Sequence, residues 1–163
     1  MGICGTELLE LIIRPTLKSL GVNNPIAERL MLGTAAVQSN LGFFLQSQRG
    51  IGLFGISSEI HQSIWDEYLA FQEDLASNVR GFASQHEFLK APNTELASNL
   101  RYATAIAWMI YQRADIDLSK LKTDQDLAQC WYEFFAQKSA HQSPSSFIAQ
   151  VQQIPTEVDE KAA

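Results

Sequence analysis

Residues 94–114 constrain this chain more than any other stretch. Leu96, Leu100, Ala103, Ala107 and Ile110 recur at helical spacing, and Trp108 and Tyr111 flank that face. A helix that is apolar over so much of its surface has to be wrapped by other elements on several sides. The rest of the chain offers helices for the wrapping. Thr6, Asn24, Ser57 or Ser58, Asn93 or Thr94, and Thr123 each stand ahead of an apolar run as a capping residue. No segment alternates apolar and polar residues for long enough to build a sheet. The chain is therefore predicted to be all-α. It forms one compact domain over residues 1–152, of about six to eight helices, with a polar tail over 153–163.

The first helix is expected over residues 6–20, kinked or split at Pro15. Gly21 stops it, Asn24 caps a second helix, and Pro25 takes that helix's first turn. The second helix runs to about Ser39, and Gly33, Ala35 and Ala36 let a neighbour approach it closely. Gly50, Gly52 and Gly55 interrupt an apolar run, so residues 50–56 are expected to be a turn-rich loop or a short buried extended piece. Further helices are expected over 59–70, 71–84, 94–114, 124–136 and, opened by Ser143-Pro144, 144–151.

Composition narrows the function classes. Hydrophobic residues make up 46% of the chain, enough for one core. The net charge of −6, with scattered Lys and Arg, argues against nucleic acid as a partner. No window approaches the roughly 20 apolar residues of a membrane span. The apolar residues 8–13 are few, include Glu10 and follow no positive segment, so no signal peptide is expected and synthesis is placed in the cytoplasm. Cys4 and Cys130 are too few for a disulfide framework, and His61, His86 and His141 form no metal-binding pattern. No metal and no cofactor are called for.

The segment from Gly33 to Trp65 carries most of the functional information. It reads GTAAVQSNLGFFLQSQRGIGLFGISSEIHQSIW. A helix ends in Gln38-Ser39, Gly42 follows, then a Gly-rich apolar turn, then a capped helix. This order resembles the core of the lysozyme-like lytic transglycosylases, in which a helix ends in Glu-Ser and a later Gly-Leu-x-Gln turn lines the sugar cleft. It is closer to a group of small bacteriophage proteins with such a motif. Gly33, Thr34, Ala35, Ala36, Ser39 and Gly42 match their first block, and Gly52, His61, Ile64 and Trp65 match the second. Asn99, Tyr102, Ala103, Ala105 and Tyr111 resemble their later helix, and Trp131 and Phe147 their C-terminal block. The resemblance implies a transglycosylase-like helical fold.

The departures bear on chemistry. Gln38 stands at the family's catalytic glutamate position, and Gly55 replaces the glutamine of the turn. Ile56, Ser57 and Ser58 replace a Met-Glu-Pro, and Gln62 and Ser63 replace paired aspartates. Cleaving a glycosidic bond needs a general acid, and a carboxamide has no proton to give near neutral pH. Loss of that acid is worth about 10²–10⁴ in rate. Glu59 is the fallback acid, unless it only stabilises the start of its helix. Gln38, Ser39, Gly52, Phe54, His61 and Trp65 are the candidates for lining a ligand cleft. Trp65, Trp108 and Trp131 either stack on a sugar or belong to the core.

Three functions are weighed on this basis. The first is a phage virion structural or interaction protein on an inactivated transglycosylase-like fold. It would be made in the host cytoplasm and incorporated in the virion, bind head, neck or tail proteins or copies of itself, and keep at most residual peptidoglycan binding. The second is an active peptidoglycan-cleaving enzyme using Glu59. The third is a host-directed binding protein made during infection.

Overall fold

The computed structural model describes residues 2–155, so most of the expected tail lies outside the described residues. The first helical rod, α1, joins Gly5–Leu8, a π-helical turn over Leu9–Ile13, and Arg14–Ser19. Pro15 neither splits it nor stops it. The wide π turn lies where the ring of Pro15 would otherwise meet the carbonyl of Leu11. Thr6 lies inside the rod, and Cys4 precedes it without a side-chain cap. At the other end Gly21 is left-handed (φ 79°). The Val22 and Gly21 amides donate back to the Leu17 and Lys18 carbonyls, closing the helix end.

Helix α2, Pro25–Ser39, runs as predicted. The Asn24 side chain accepts from the Ile26 and Ala27 amides at 2.8 and 3.3 Å. The Phe147 ring lies 2.2 Å from where a Cβ on Gly33 would stand, so the missing side chain seats that ring. Two two-residue strands follow, β1 Gln46–Ser47 and β2 Gly50–Ile51, paired antiparallel with Gln46 opposite Ile51 and Ser47 opposite Gly50. The loop after them buries Leu53, Phe54 and Ile56. Helix α3 joins Ser58–Ser63, a π turn over Ile64–Tyr68 and a 3-10 turn over Leu69–Phe71, with Ser57 as its cap.

Helix α4, Glu73–Phe82, is followed by α5, Gln85–Lys90, which the hydrophobic pattern does not announce. The expected helix over 94–114 is two helices, α6 (Thr94–Ser98) and α7 (Leu100–Arg113). Asn99 causes the break. Its backbone is extended, and its side-chain oxygen accepts from the Tyr102 amide at 3.0 Å, which starts α7 afresh. Its Nδ2 donates at 2.8 Å both to the Phe82 carbonyl and to Glu95 Oε2. Glu95 is buried and also accepts from the Ser84 amide and hydroxyl. Burial pushes its carboxyl up, but the hydrogen bonds from Ser84 and Asn99 outweigh that and hold it below the usual range.

Helix α8 joins Asp124–Cys130 to a π turn over Trp131–Phe135, and Thr123 and Asp126 close a reciprocal cap at its start. Helix α9, Pro144–Gln152, packs along α2. Helices α1, α2, α3, α4 and α6 and the end of α8 pack around α7, in which every residue from Tyr102 to Tyr111 is buried. Cys130 is buried, Cys4 is at the surface, and the two do not pair with each other. Among the described residues no helix is long and apolar enough to cross a membrane. Replacing Asn99 with Ala removes a helix cap and a buried carboxylate's partner. Urea denaturation of Asn99→Ala should show a loss of about 2–3 kcal/mol.

Candidate functional site

The site begins where α2 ends. Asn40, Leu41 and Gly42 are all left-handed (φ 52°, 54° and 81°). Asn and Gly adopt this conformation readily, but for Leu41 it costs roughly 1–2 kcal/mol. Backbone bonds hold Leu41 there: its amide donates to the Ala35 carbonyl and its carbonyl accepts from Ile3 at 2.7 Å. The turn folds the chain back beside the helix it has just left.

Ser39 fixes that return. Its hydroxyl lies 2.5 Å from the Leu53 carbonyl and 3.2 Å from the Ala35 carbonyl, and it accepts from the Gly42 amide at 2.8 Å. It is buried and clamps the Gly-rich loop to the end of α2. The Val37 carbonyl, left open at the helix end, is taken by the Arg49 guanidinium from the loop between the strands.

Around this corner lies a cleft of about 720 Å³. The end of α2 and the β1–β2 turn form one wall. The segment from Ala136 to Gln142 and Gln150 of α9 form the other, with Ile110 of α7 also in the lining. Gln38 lines the cleft and is almost fully buried. Its Oε1 accepts from Gln142 Nε2 at 3.2 Å. A Cβ on Gly55 would stand 3.4 Å from the Gln38 Cβ, so these two positions face each other. Among the described residues no Asp or Glu lines the cleft.

The structure brings Gln38, Ser39 and Gly55 together there. Gly52, Phe54, His61 and Trp65 do not line the cleft. Gly52 packs against the Leu96 backbone, where a Cβ would fall 1.7 Å from the carbonyl oxygen, and Phe54 is in the core. Glu59 is exposed in the first turn of α3 and is not part of the lining. Trp108 and Trp131 are buried. Arg49, His141 and Gln142 line the cleft, and sequence reasoning missed them. Gln142 is 104 residues from its partner Gln38, and no local pattern marks such a pair.

His61 belongs to a separate buried network. Trp65 Nε1–H donates to the Tyr102 oxygen at 2.9 Å. The Tyr102 hydroxyl then donates to His61 Nε2 at 2.6 Å, and His61 Nδ1–H donates to Asn93 Oδ1 at 2.8 Å. Every proton in this chain has one direction, which requires a neutral imidazole. Burial pushes His61 below its ordinary value of 6.5, partly opposed by the Asn93 carbonyl. Burial likewise pushes the Tyr102 hydroxyl well up, so it stays a donor.

Two outcomes are expected. In the unfolded chain His61 takes up a proton at a higher pH than in the fold. Its contribution to stability is therefore complete above about pH 6.5 and is lost as the pH falls below that. Urea midpoints measured from about pH 7.5 to about pH 5 should fall, and His61→Gln should flatten the profile; a level wild-type profile would count against the assignment. Ser39→Ala should cost about 1–3 kcal/mol. It should also speed amide exchange at Gly42 relative to α7.

No family model, no curated protein and no solved structure matches the chain.

Proposed function

We propose that this domain acts by contact and not by cleavage, as an interaction protein of a phage particle on a transglycosylase-like scaffold without its acid. The observation that carries this is the cleft beside Gln38, where none of the described residues in the lining bears a carboxylate. A general acid has to come within hydrogen-bonding reach of the leaving oxygen. Gln38 has no proton to give, Ser39 is committed to the loop, and Glu59 is outside the lining.

The way matches and departures divide supports the same reading. Residues shared with the phage motif hold the framework. Thr34 bonds Tyr111 at 2.7 Å, His61 and Trp65 meet at Tyr102, and Ser39 clamps the loop. Of the departures, Gln38, Gly55, Ile56 and Ser57 line the cleft beside the matched Ala36 and Ser39, while Ser58, Gln62 and Ser63 lie outside its lining. A scaffold kept while its reactive surface differs is what reuse of a fold for another purpose looks like. Phe43 and Phe44, 53% and 56% exposed, add apolar surface near the cleft, and Phe44 lines it.

Incubation with purified peptidoglycan sacculi tests this. No soluble muropeptides should be released above background, and Glu59→Gln should change nothing. Release by the unmodified protein that Glu59→Gln abolishes would establish the enzyme reading instead. Assembly into particles is tested by mass spectrometry of purified virions, where the protein should be found at a fixed stoichiometry.

A further inference from the structure

We propose that the cleft at the end of α2 receives an acidic, extended peptide segment of a partner protein. The inference rests on the contact reading above and names the chemistry of what is contacted.

Charge is the first argument. The chain has 18 Asp and Glu against 12 Lys and Arg, yet among the described residues no acid lines the cleft, while Arg49 and His141 do. Arg49 also differs from the other arginines near α2. Arg14 is held by both oxygens of Glu28, and Arg29 by both oxygens of Asp124. Among the described residues Arg49 has no carboxylate partner. One of its N–H groups is fixed by the Val37 carbonyl, which anchors the guanidinium at the cleft. Its remaining donors keep the fork geometry that matches a carboxylate.

The amides are the second argument. Gln38, Gln48, Gln137, Gln142 and Gln150 all line the cleft. A carboxamide carries one acceptor and two donors, so it can pair with the N–H and C=O of a peptide backbone. The Gln38 acceptor is taken by Gln142, which leaves its donors for a ligand. Phe44, Ile60 and Ile110 give the same cleft apolar surface for a side chain between two acidic ones. A neutral glycan would use the amides but gain nothing from Arg49. The Arg49 guanidinium therefore favours a carboxylate-bearing peptide. The volume of about 720 Å³ is of the size that holds a short segment.

The test is an NMR titration of the isotopically labelled full chain with a capped Glu-Leu-Glu tripeptide. Parallel titrations use capped Gln-Leu-Gln and a chitin tetrasaccharide. Saturable shifts are expected at Gln38, Arg49 and Gln142 with Glu-Leu-Glu. They should weaken with added salt and weaken about tenfold in Arg49→Gln, with partial recovery in Arg49→Lys. The unliganded spectrum of each variant establishes that it is folded. Equal binding of Gln-Leu-Gln, indifference to Arg49→Gln, shifts with the tetrasaccharide alone, or no shifts with any probe would each overturn the proposal. Any of these can occur while sacculi remain uncleaved, so this inference can fail while the contact reading stands.

Discussion

The rest of the structure depends on keeping α7 out of water. Ten consecutive residues, Tyr102 to Tyr111, are buried, and three of them carry hydroxyls: Thr104 bonds the Leu100 carbonyl within the helix, but Tyr102 and Tyr111 need partners from outside it. An unpaired buried hydroxyl costs about 1–3 kcal/mol, so the elements around α7 have to supply hydrogen bonds as well as apolar surface. Helix α2 does so through Thr34, which passes its own proton to the Leu30 carbonyl and can then accept from Tyr111. Helix α3 does so through His61 and Trp65, both bonded to Tyr102. The two tyrosines lie nine positions apart on one helix and fix the orientation of two others against it. Apolar packing alone would hold these helices close but leave their rotation less well specified.

The polar groups of this core therefore share the work of positioning. Asn99 and Glu95 act similarly where α4, α5, α6 and α7 meet. A carboxylate is tolerated in that corner because three hydrogen bonds converge on it. The cleft contrasts with this economy. Its amides and Arg49 have donors left over once the fold's own bonds are made.

Much of the architecture was legible in the sequence, because capping and helical periodicity are local. Asn24-Pro25, Ser57, Thr123 and Ser143-Pro144 marked helix starts that the structure contains. Gly33 marked close helix packing, and Phe147 lies against it. Legibility failed where a local signal had two meanings. Asn99 reads as an ordinary mid-helix residue until Phe82 and Glu95 are brought beside it, and then it ends one helix and caps the next. Helix α5 is short and buries none of its residues fully, so it leaves no periodic trace. Pro15 signals a kink, but a π turn absorbs the same steric conflict. At the site, Gln38, Ser39 and Gly55 could be grouped because a motif links them along the chain. The opposite wall could not, because only folding brings residues near 140 to those near 38. His61 was misplaced for a related reason. A histidine beside a Gly-rich turn suits a binding pocket and a core network equally well until its neighbours are known.

Gly52 has a consequence for how the cleft recognises anything. Its backbone lies against the Leu96 carbonyl with no room for a methyl group, and its left-handed φ of 79° excludes easy replacement. The Gly-rich loop is thereby held on two sides, bonded to α2 at Leu53 through Ser39 and packed against α6 at Gly52. A wall braced in this way is preorganised. An incoming chain gives up its own freedom on docking, but the receiving loop has little left to lose. Discrimination between visitors then rests on fit to a fixed template.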